Sequence, residues 1–295
     1  MKFLISHEPI LIILLYILGL HSTFAQGSKP DSILILTYNI CWQCMTNTAS
    51  GSASGLGAYC VYSDLPYQTT TCAERMGKYI ETIPGNTGMI DFDFAGFQEA
   101  SKWQSIYKLA PQTLGNMEYE TSQSGYEMMI SFYNPEYTLI QAIKGEFNAG
   151  RPFQILIFKE GVIFINLHNN HQLDMDGIQM ALSESLTQNL HSTIDINDLS
   201  NDRIIVVGDF NFGAKGMVTM KPFANTRIKT KCTLQNPVAS CCDESVPSTQ
   251  DPWHGFRSGD FIFDSKATAS PVMPPEYDSD LAQSDHLPVI SKFPK

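Results

Sequence analysis

The chain has 295 residues, 43% hydrophobic and 17% charged, with a formal net charge of −11. That length gives one large domain with a sizeable core, and the composition excludes disordered, collagenous and low-complexity classes. The acidic balance excludes binding of nucleic acid by bulk attraction, so a polyanionic substrate has to be met at a local site, with a metal ion as the natural source of positive charge.

Residues 1–25 read as a secretory signal peptide. Lys2 supplies a weakly positive start, residues 10–20 are an apolar run, and Thr23-Phe24-Ala25 fits cleavage after Ala25. The run is too short to span a bilayer. The expectation is a secreted protein whose mature domain covers residues 26–295, with unchanged net charge because Lys2 and Glu8 cancel. All seven cysteines, Cys41, Cys44, Cys60, Cys72, Cys232, Cys241 and Cys242, fall in that domain. In an oxidising compartment they read as disulfides with one thiol left over. A zinc site at Cys41-x-x-Cys44 is disfavoured, since no second such pair exists and no histidine is near in sequence.

In chain order, residues 33–38 read as a buried strand ending at Asn39, followed by a polar loop to about residue 71. Residues 73–83 place Met76, Tyr79, Ile80 and Ile83 on one helical face. Residues 92–97 form a second strand that delivers Gln98 and Glu99 at its end, and residues 101–109 a helix capped by Ser101. Residues 127–133, 138–147, 153–158 and 162–167 are successive strands punctuated by Gly, Asn and Pro. Residues 178–194 are the strongest helix, with Ile178, Ala181, Leu182, Leu186, Leu190 and Ile194 in one stripe. Strands at residues 203–208, 261–263 and 287–290 complete the reading. Strands outnumber helices without strict alternation, which predicts an α/β protein of two packed, mostly antiparallel β-sheets flanked by helices.

Polar residues stand where these strands end. Asn39, Glu99 and His168 each close one, Asp209 and Asn211 follow another, and Asp260 and Asp285-His286 precede two more. Acids and imidazoles at the ends of buried strands need partners or a metal ion. Asp209 and Asn211, two apart, share a face if the chain stays extended there. His171 reads as a loop residue. A lone Asp-Phe-Asn is ordinarily a turn with its own side-chain hydrogen bonds; the ordered set of such segments is what points to one convergent pocket.

That set is Thr37-Tyr38-Asn39-Ile40, Gly96-Phe97-Gln98-Glu99, Asn166-Leu167-His168, Gly208-Asp209-Phe210-Asn211, Gly259-Asp260-Phe261-Ile262 and Ser284-Asp285-His286-Leu287-Pro288-Val289. In this order it resembles the endonuclease/exonuclease/phosphatase superfamily, which includes pancreatic deoxyribonuclease, abasic-site endonucleases, bacterial sphingomyelinases and inositol-polyphosphate phosphatases. The resemblance implies a four-layer α/β sandwich and metal-dependent phosphoester hydrolysis. It assigns Mg²⁺ or Mn²⁺ to Glu99 with Asn39 and Asp285, and leaves room for a structural Ca²⁺. It implies that His286, oriented by Asp260, is the general base, that Asp209 and Asn211 position the water or the phosphate, and that His168 donates to a phosphate oxygen or the leaving group. Some members are described with the residue at the place of Asp209 as the base.

Two further segments are similar to the deoxyribonuclease branch. Glu127, leading into Tyr133-Asn134-Pro135, matches the glutamate that backs the first catalytic histidine, and Gly150-Arg151-Pro152 matches the segment with an arginine at the scissile phosphate. The chain departs from pancreatic-type nucleases at Cys41 and Ser101, where those place arginines, and Lys102 is a candidate replacement for one. His254-Gly255-Phe256-Arg257-Ser258-Gly259 stands where inositol phosphatases carry their own signature. The expected activity is a secreted phosphodiesterase on nucleic acid, with Arg151 and Asn39 at the phosphate. The alternative is a phospholipid or inositol-phosphate phosphoesterase using the same site. The partner is then the nucleic acid, lipid or phosphorylated small-molecule substrate, and no obligate protein partner is evident.

Overall fold

A computed structural model describes residues 32–41, 72–87, 92–125, 127–148, 150–170, 173–211, 219–235, 259–266, 270–272, 286 and 288–295. Among them the strands are β1 (Ser32–Asn39), β2 (Phe94–Gln98), β3 (Glu118–Ser124), β4 (Glu127–Tyr133), β5 (Leu139–Phe147), β6 (Arg151–Phe158), β7 (Val162–His168), β8 (Arg203–Asp209), β9 (Thr219–Met220), β10 (Cys232–Leu234), β11 (Asp260–Asp264), β12 (Ser270–Val272) and β13 (Val289–Pro294). The helices are α1 (Cys72–Thr87), α2 (Trp103–Leu109) and α3 (Met175–Asn189). One sheet runs β12-β13-β1-β2-β4-β3 and the other β5-β6-β7-β8-β11-β10-β9. Only β1 with β2 and β7 with β8 pair in parallel; the remaining described ladders are antiparallel.

The period of two along each strand sorts side chains into layers. Leu34, Leu36 and Tyr38 of β1 and Ala95 and Phe97 of β2 pack outward with Met76, Tyr79, Ile80 and Ile83 of α1 and Ile106 of α2. Ile163, Ile165 and Leu167 of β7 and Ile204 and Val206 of β8 pack outward with Ile178, Leu182 and Leu186 of α3. The alternate residues, Ile33, Ile35, Phe94, Leu156, Phe158, Phe164, Ile205, Val207, Ile262 and Phe293, form the core between the sheets. Phe94 stacks on Phe164 with ring centroids 5.0 Å apart. Each such fully buried side chain stabilises the sandwich by roughly 1.5–3 kcal/mol. The four-layer arrangement expected from the motifs is the one observed.

Several boundaries differ from expectation for local reasons. β3, with the sequence EYETSQS, is an edge strand largely open to solvent, so its polar composition hides it. The helix expected from Ser101 begins at Trp103 with no side-chain cap; Ser101 lies in a turn, its N–H bonded to Glu99 O at 3.0 Å. α3 starts earlier than residue 178 because Asp174 caps it, accepting from Gly177 N at 2.9 Å. It stops before residue 194, where Leu190 turns extended, yet Leu190 and Ile194 still pack on the same core. The last strand runs Val289–Pro294 rather than residues 287–290.

Cys41 is disulfide-bonded. Cys232 is free and buried, and burial with the neighbouring Asp264 pushes its thiol far above the ordinary range. Cys44, Cys60, Cys241 and Cys242, the expected signal segment and the polar loop at residues 46–71 lie outside the described residues.

The sheets approach tightly at Gly96, where an added Cβ would lie 2.7 Å from Val207 Cγ2 and 2.9 Å from Asn166 Cγ on the opposite sheet. Gly96→Ala should therefore destabilise the protein by roughly 1–3 kcal/mol through overpacking, read as a lower denaturant midpoint with an unchanged slope. An unaltered midpoint would show that the interface relaxes freely at this point.

Candidate active site

The inward stripes of the strands change character toward one rim of the sandwich. On β1 the series is Ile33, Ile35, Thr37, Asn39; on β2 it is Phe94, Gly96, Gln98; on β7 it is Val162, Phe164, Asn166, His168; on β8 it is Ile205, Val207, Asp209. Register places His168 beside Asp209 and Asp260 beside Asp209. Strand ends from both sheets therefore deliver Asn39, Glu99, Glu127, Arg151, His168, Asp209, Asp260 and His286 to one place, all buried except the half-buried Arg151.

Asp209 is the hub. Its Oδ2 accepts from Asn39 Nδ2 at 3.0 Å and lies 3.5 Å from His168 Nε2 and 3.8 Å from His286 Nε2. Its Oδ1 accepts from Asn211 N at 2.8 Å. Burial alone would raise this carboxyl, but His286, His168 and the hydrogen bonds from Asn39 and Asn211 outweigh it and hold Asp209 below the usual carboxylate range. The chain reaches Asp209 through Gly208, whose φ of +141° and close approach to Leu167 O leave no room for a Cβ.

Two carboxylate–imidazole pairs flank the hub. His168 Nδ1 donates to Glu127, which also holds Arg151 Nη1 at 2.7 Å. His168 Nε2 is buried without a hydrogen-bond partner among the described residues, pointing between Asp209 and Glu99, the latter 3.8 Å away. Burial disfavours the imidazolium, yet the Glu127 hydrogen bond and the charges of Asp209, Glu127 and Glu99 hold His168 above the ordinary histidine value. In the second pair His286 Nδ1 bonds Asp260 Oδ2 at 2.7 Å, which turns Nε2 toward Asp209.

Backbone strain is concentrated at the same rim. Among the described residues, the non-glycine residues with positive φ are Cys41 (55°), Glu99 (57°) and Asn211 (54°). Each ends a site-bearing strand in a left-handed turn, a conformation that costs on the order of 1–3 kcal/mol and persists only where the surroundings impose it. At Cys41 the consequence is visible: its N–H donates to Asn39 Oδ1 at 3.0 Å, so Asn39 must present Nδ2 to Asp209 and, at 3.4 Å, to Glu99 Oε1. In this geometry Asn39 is a donor, and a ligand role for its oxygen requires the amide to turn over. Nothing in the run Asn39-Ile40-Cys41 signals that orientation from sequence.

Asn211 also differs from expectation. β8 ends at Asp209 and the left-handed turn breaks the extended spacing, so Asn211 instead donates to Asn169 O at 2.7 Å and ties the β8 end to the segment after β7. Asn169 was missed in the sequence; its Nδ2 holds Phe210 O at 2.9 Å and Leu173 O at 2.8 Å. Asp285 and His171 lie outside the described residues.

Solved structures share this arrangement of sheets. An endonuclease/exonuclease/phosphatase from Bacteroides vulgatus superposes with a TM-score of 0.55 at 14% identity, covering 89% of this chain and 98% of that one. ANGEL2, a 2′,3′-cyclic phosphatase in complex with adenosine-2′,3′-vanadate, superposes with a TM-score of 0.54 at 12% identity, covering 89% and 95%. The chain has the endonuclease/exonuclease/phosphatase fold. At those identities the likeness establishes the fold alone. In sequence the chain is similar to an uncharacterized protein, L684, of Acanthamoeba polyphaga mimivirus, at 26% identity over 274 residues. That match covers 88% of this chain and 50% of the viral protein, so the chain spans about half the length of that curated relative. No family model matches the chain.

The raised pKa of His168 makes folding stability depend on pH. Its stabilising contribution is present below the ordinary histidine pKa of 6.5 and is lost as pH rises through the raised folded value. Asp209, held low, contributes above its ordinary 3.8 and loses that contribution as pH falls. Glu127→Gln should bring the His168 imidazole titration, followed by NMR, down toward the ordinary value, and should flatten the loss of stability on the alkaline side. A titration that does not move would show that Glu127 is not what holds the proton.

Proposed function

We propose that the protein is a secreted, divalent-metal-dependent phosphodiesterase acting on nucleic acid. The observation that carries this reading is the convergence on Asp209 of two carboxylate-backed imidazoles, one on either side. Phosphoester hydrolysis needs a deprotonated water, a proton for the leaving group and stabilisation of charge on the phosphoryl oxygens. His286 Nε2, with Nδ1–H held by Asp260, accepts the proton of the attacking water. His168, protonated at Nε2 and fixed by Glu127, donates to a phosphate oxygen or to the leaving group. Arg151 contacts the phosphate, Asn39 Nδ2 reaches it only by exchanging its 3.4 Å contact with Glu99, and Asp209 orients the water between the two imidazoles.

The donor set suits a hard cation. Glu99 and Asp209 bring buried carboxylates to one space, and oxygen atoms of Asp209 and Asp260 and a nitrogen of His286 all lie within 4.8 Å of one another. Arg151, half-buried, is engaged by Glu127 at 2.7 Å and by Glu99 at 3.6 Å, so the carboxylates of Glu99, Glu127, Asp209 and Asp260 crowd one place beside that guanidinium. Mg²⁺ or Mn²⁺ would be held by Glu99 and Asp209, with Asp285 the further ligand that the sequence motif implies, and would supply Lewis-acid polarisation of the phosphoryl group. Export rests on the signal-like residues 1–25, and the disulfide-bonded Cys41 agrees with an oxidising compartment.

The purified protein, residues 26–295, is tested on supercoiled plasmid, RNA, sphingomyelin and phosphoinositides with Mg²⁺, with Ca²⁺ and with chelator. Mg²⁺-dependent nicking that chelator abolishes is expected. Glu99→Gln should lower turnover by about 100-fold or more with unchanged circular dichroism. Lipid hydrolysis without nicking would overturn the nucleic-acid assignment, and no hydrolysis of any substrate would overturn the phosphoesterase reading.

A further inference from the structure

Between the apolar core and the charged rim runs a layer of buried polar side chains that the chemistry above does not use. Gln98 Nε2, on β2, donates to Asn166 Oδ1 of β7 at 2.7 Å, to Thr37 Oγ1 of β1 at 3.1 Å and to Gly96 O at 3.2 Å. Asn166 Nδ2 returns across the gap to Ile130 O and Ser131 Oγ of β4, both at 3.1 Å. Ser131 Oγ donates to Gln154 Oε1 of β6 at 2.6 Å. Gln98, Asn166, Ser131, Thr37 and Gln154 are all fully buried. The seam thus joins three strands of one sheet to two of the other through amide and hydroxyl groups of fixed length.

Its position is what gives it a consequence. Gln98 is followed by Glu99, Thr37 and Asn166 stand two residues before Asn39 and His168, and Ser131 shares the inward parity of Glu127 on β4. Asn39, Glu99 and Glu127 come from one sheet, whereas Arg151, His168, Asp209 and Asp260 come from the other. The contacts that join those halves, Asn39 to Asp209, Glu99 to Arg151 and to His168, and Glu127 to His168 and to Arg151, cross the interface on the rim side of the seam. An apolar layer would hold the sheets together but would let them slide, because apolar contacts are non-directional. A hydrogen-bonded amide pair fixes both spacing and register. The contact at Gly96, which leaves no space for a methyl group against Asn166 and Val207, sets the same spacing by repulsion.

We propose that Gln98 and Asn166 are positioning residues of the active site, their amide pair setting the separation between its two halves. The kinetic part of this proposal rests on the phosphoesterase reading; the geometric part does not. Gln98→Met keeps the side-chain volume and removes the amide. It should fold with a lowered melting temperature, and kcat should fall roughly 10–100-fold, the loss that an ångström-scale misplacement produces. KM should stay within about twofold of wild type, since the groups that meet substrate are intact. A crystal structure of the variant should show the Asn39 Nδ2 to Asp209 Oδ2 contact, 3.0 Å in the wild type, opened. Gln98→Asn alone should lose activity in the same way, while the exchange Gln98→Asn with Asn166→Gln, which moves one methylene across the gap, should recover most of it. If Gln98→Met does not fold, Ser131→Ala removes one strut of the seam at little volume cost, and kcat should fall about 3–10-fold. A folded variant of lowered melting temperature but wild-type kcat and unmoved rim distances would overturn the proposal. So would an exchange no more active than Gln98→Asn. Should the wild type hydrolyse none of the substrates, the phosphoesterase reading fails, and the rim distances in Gln98→Met alone decide the seam.

Discussion

The site depends on keeping the Asp209 carboxylate ionised out of water. Stripping a carboxylate of its hydration costs several kcal/mol in a real protein interior, and only nearby donors and cations offset it. Asp209 obtains them from both sheets: Asn39 from β1, His168 beside it on β7, His286 ahead of β13 and the backbone N–H of Asn211 beyond its own strand. No single element could supply that shell. The two sheets must therefore close at a fixed distance, and the strand ends must turn sharply to bring their last residues inward. The left-handed residues Cys41, Glu99 and Asn211 are where that requirement falls on the backbone. Strain of this kind survives because the partners it creates, such as Cys41 N–H on Asn39 Oδ1, also serve the buried charge.

Much of this was legible in the sequence, for a physical reason. A buried strand reports its inward face by alternation, so a carboxylate or imidazole at the end of an apolar run marks a rim that needs compensation. Glu99, His168, Asp209 and Asp260 stand out that way, the structure brings them to one rim with Asn39, and the ordered motifs around them led to the four-layer sandwich. Features set by one residue upon a distant one were not legible. Gln98 and Asn166 are 68 positions apart, and nothing local shows that their amides meet. The same holds for Asn39, whose amide orientation is dictated by a backbone N–H in a left-handed turn, and for Asn211, whose extended spacing from Asp209 ends with the strand. Propensity failed for a different reason at β3, where an edge strand with one exposed face keeps no apolar run to announce it.

The layered interior also bears on what the chain retains and what it has given up. Apolar core, polar seam and charged rim follow one another in order along β1, β2 and β7, while on β8 the apolar Val207 leads directly to Asp209. The departures fall one step outside the rim: Cys41 and Ser101 replace arginines just beyond Asn39 and Glu99. Arg151, held between Glu127 and Glu99, offers a single guanidinium in place of those arginines. With a net charge of −11 the surface as a whole repels a polyanionic substrate. If the substrate is the proposed phosphodiester, attraction must be concentrated at the reacting phosphate, where a cation bound by Glu99 and Asp209 would be the strongest positive charge this donor set could recruit. On the proposed reading, binding and turnover would both depend on one ion, whereas a basic groove draws its affinity from many separate phosphate contacts.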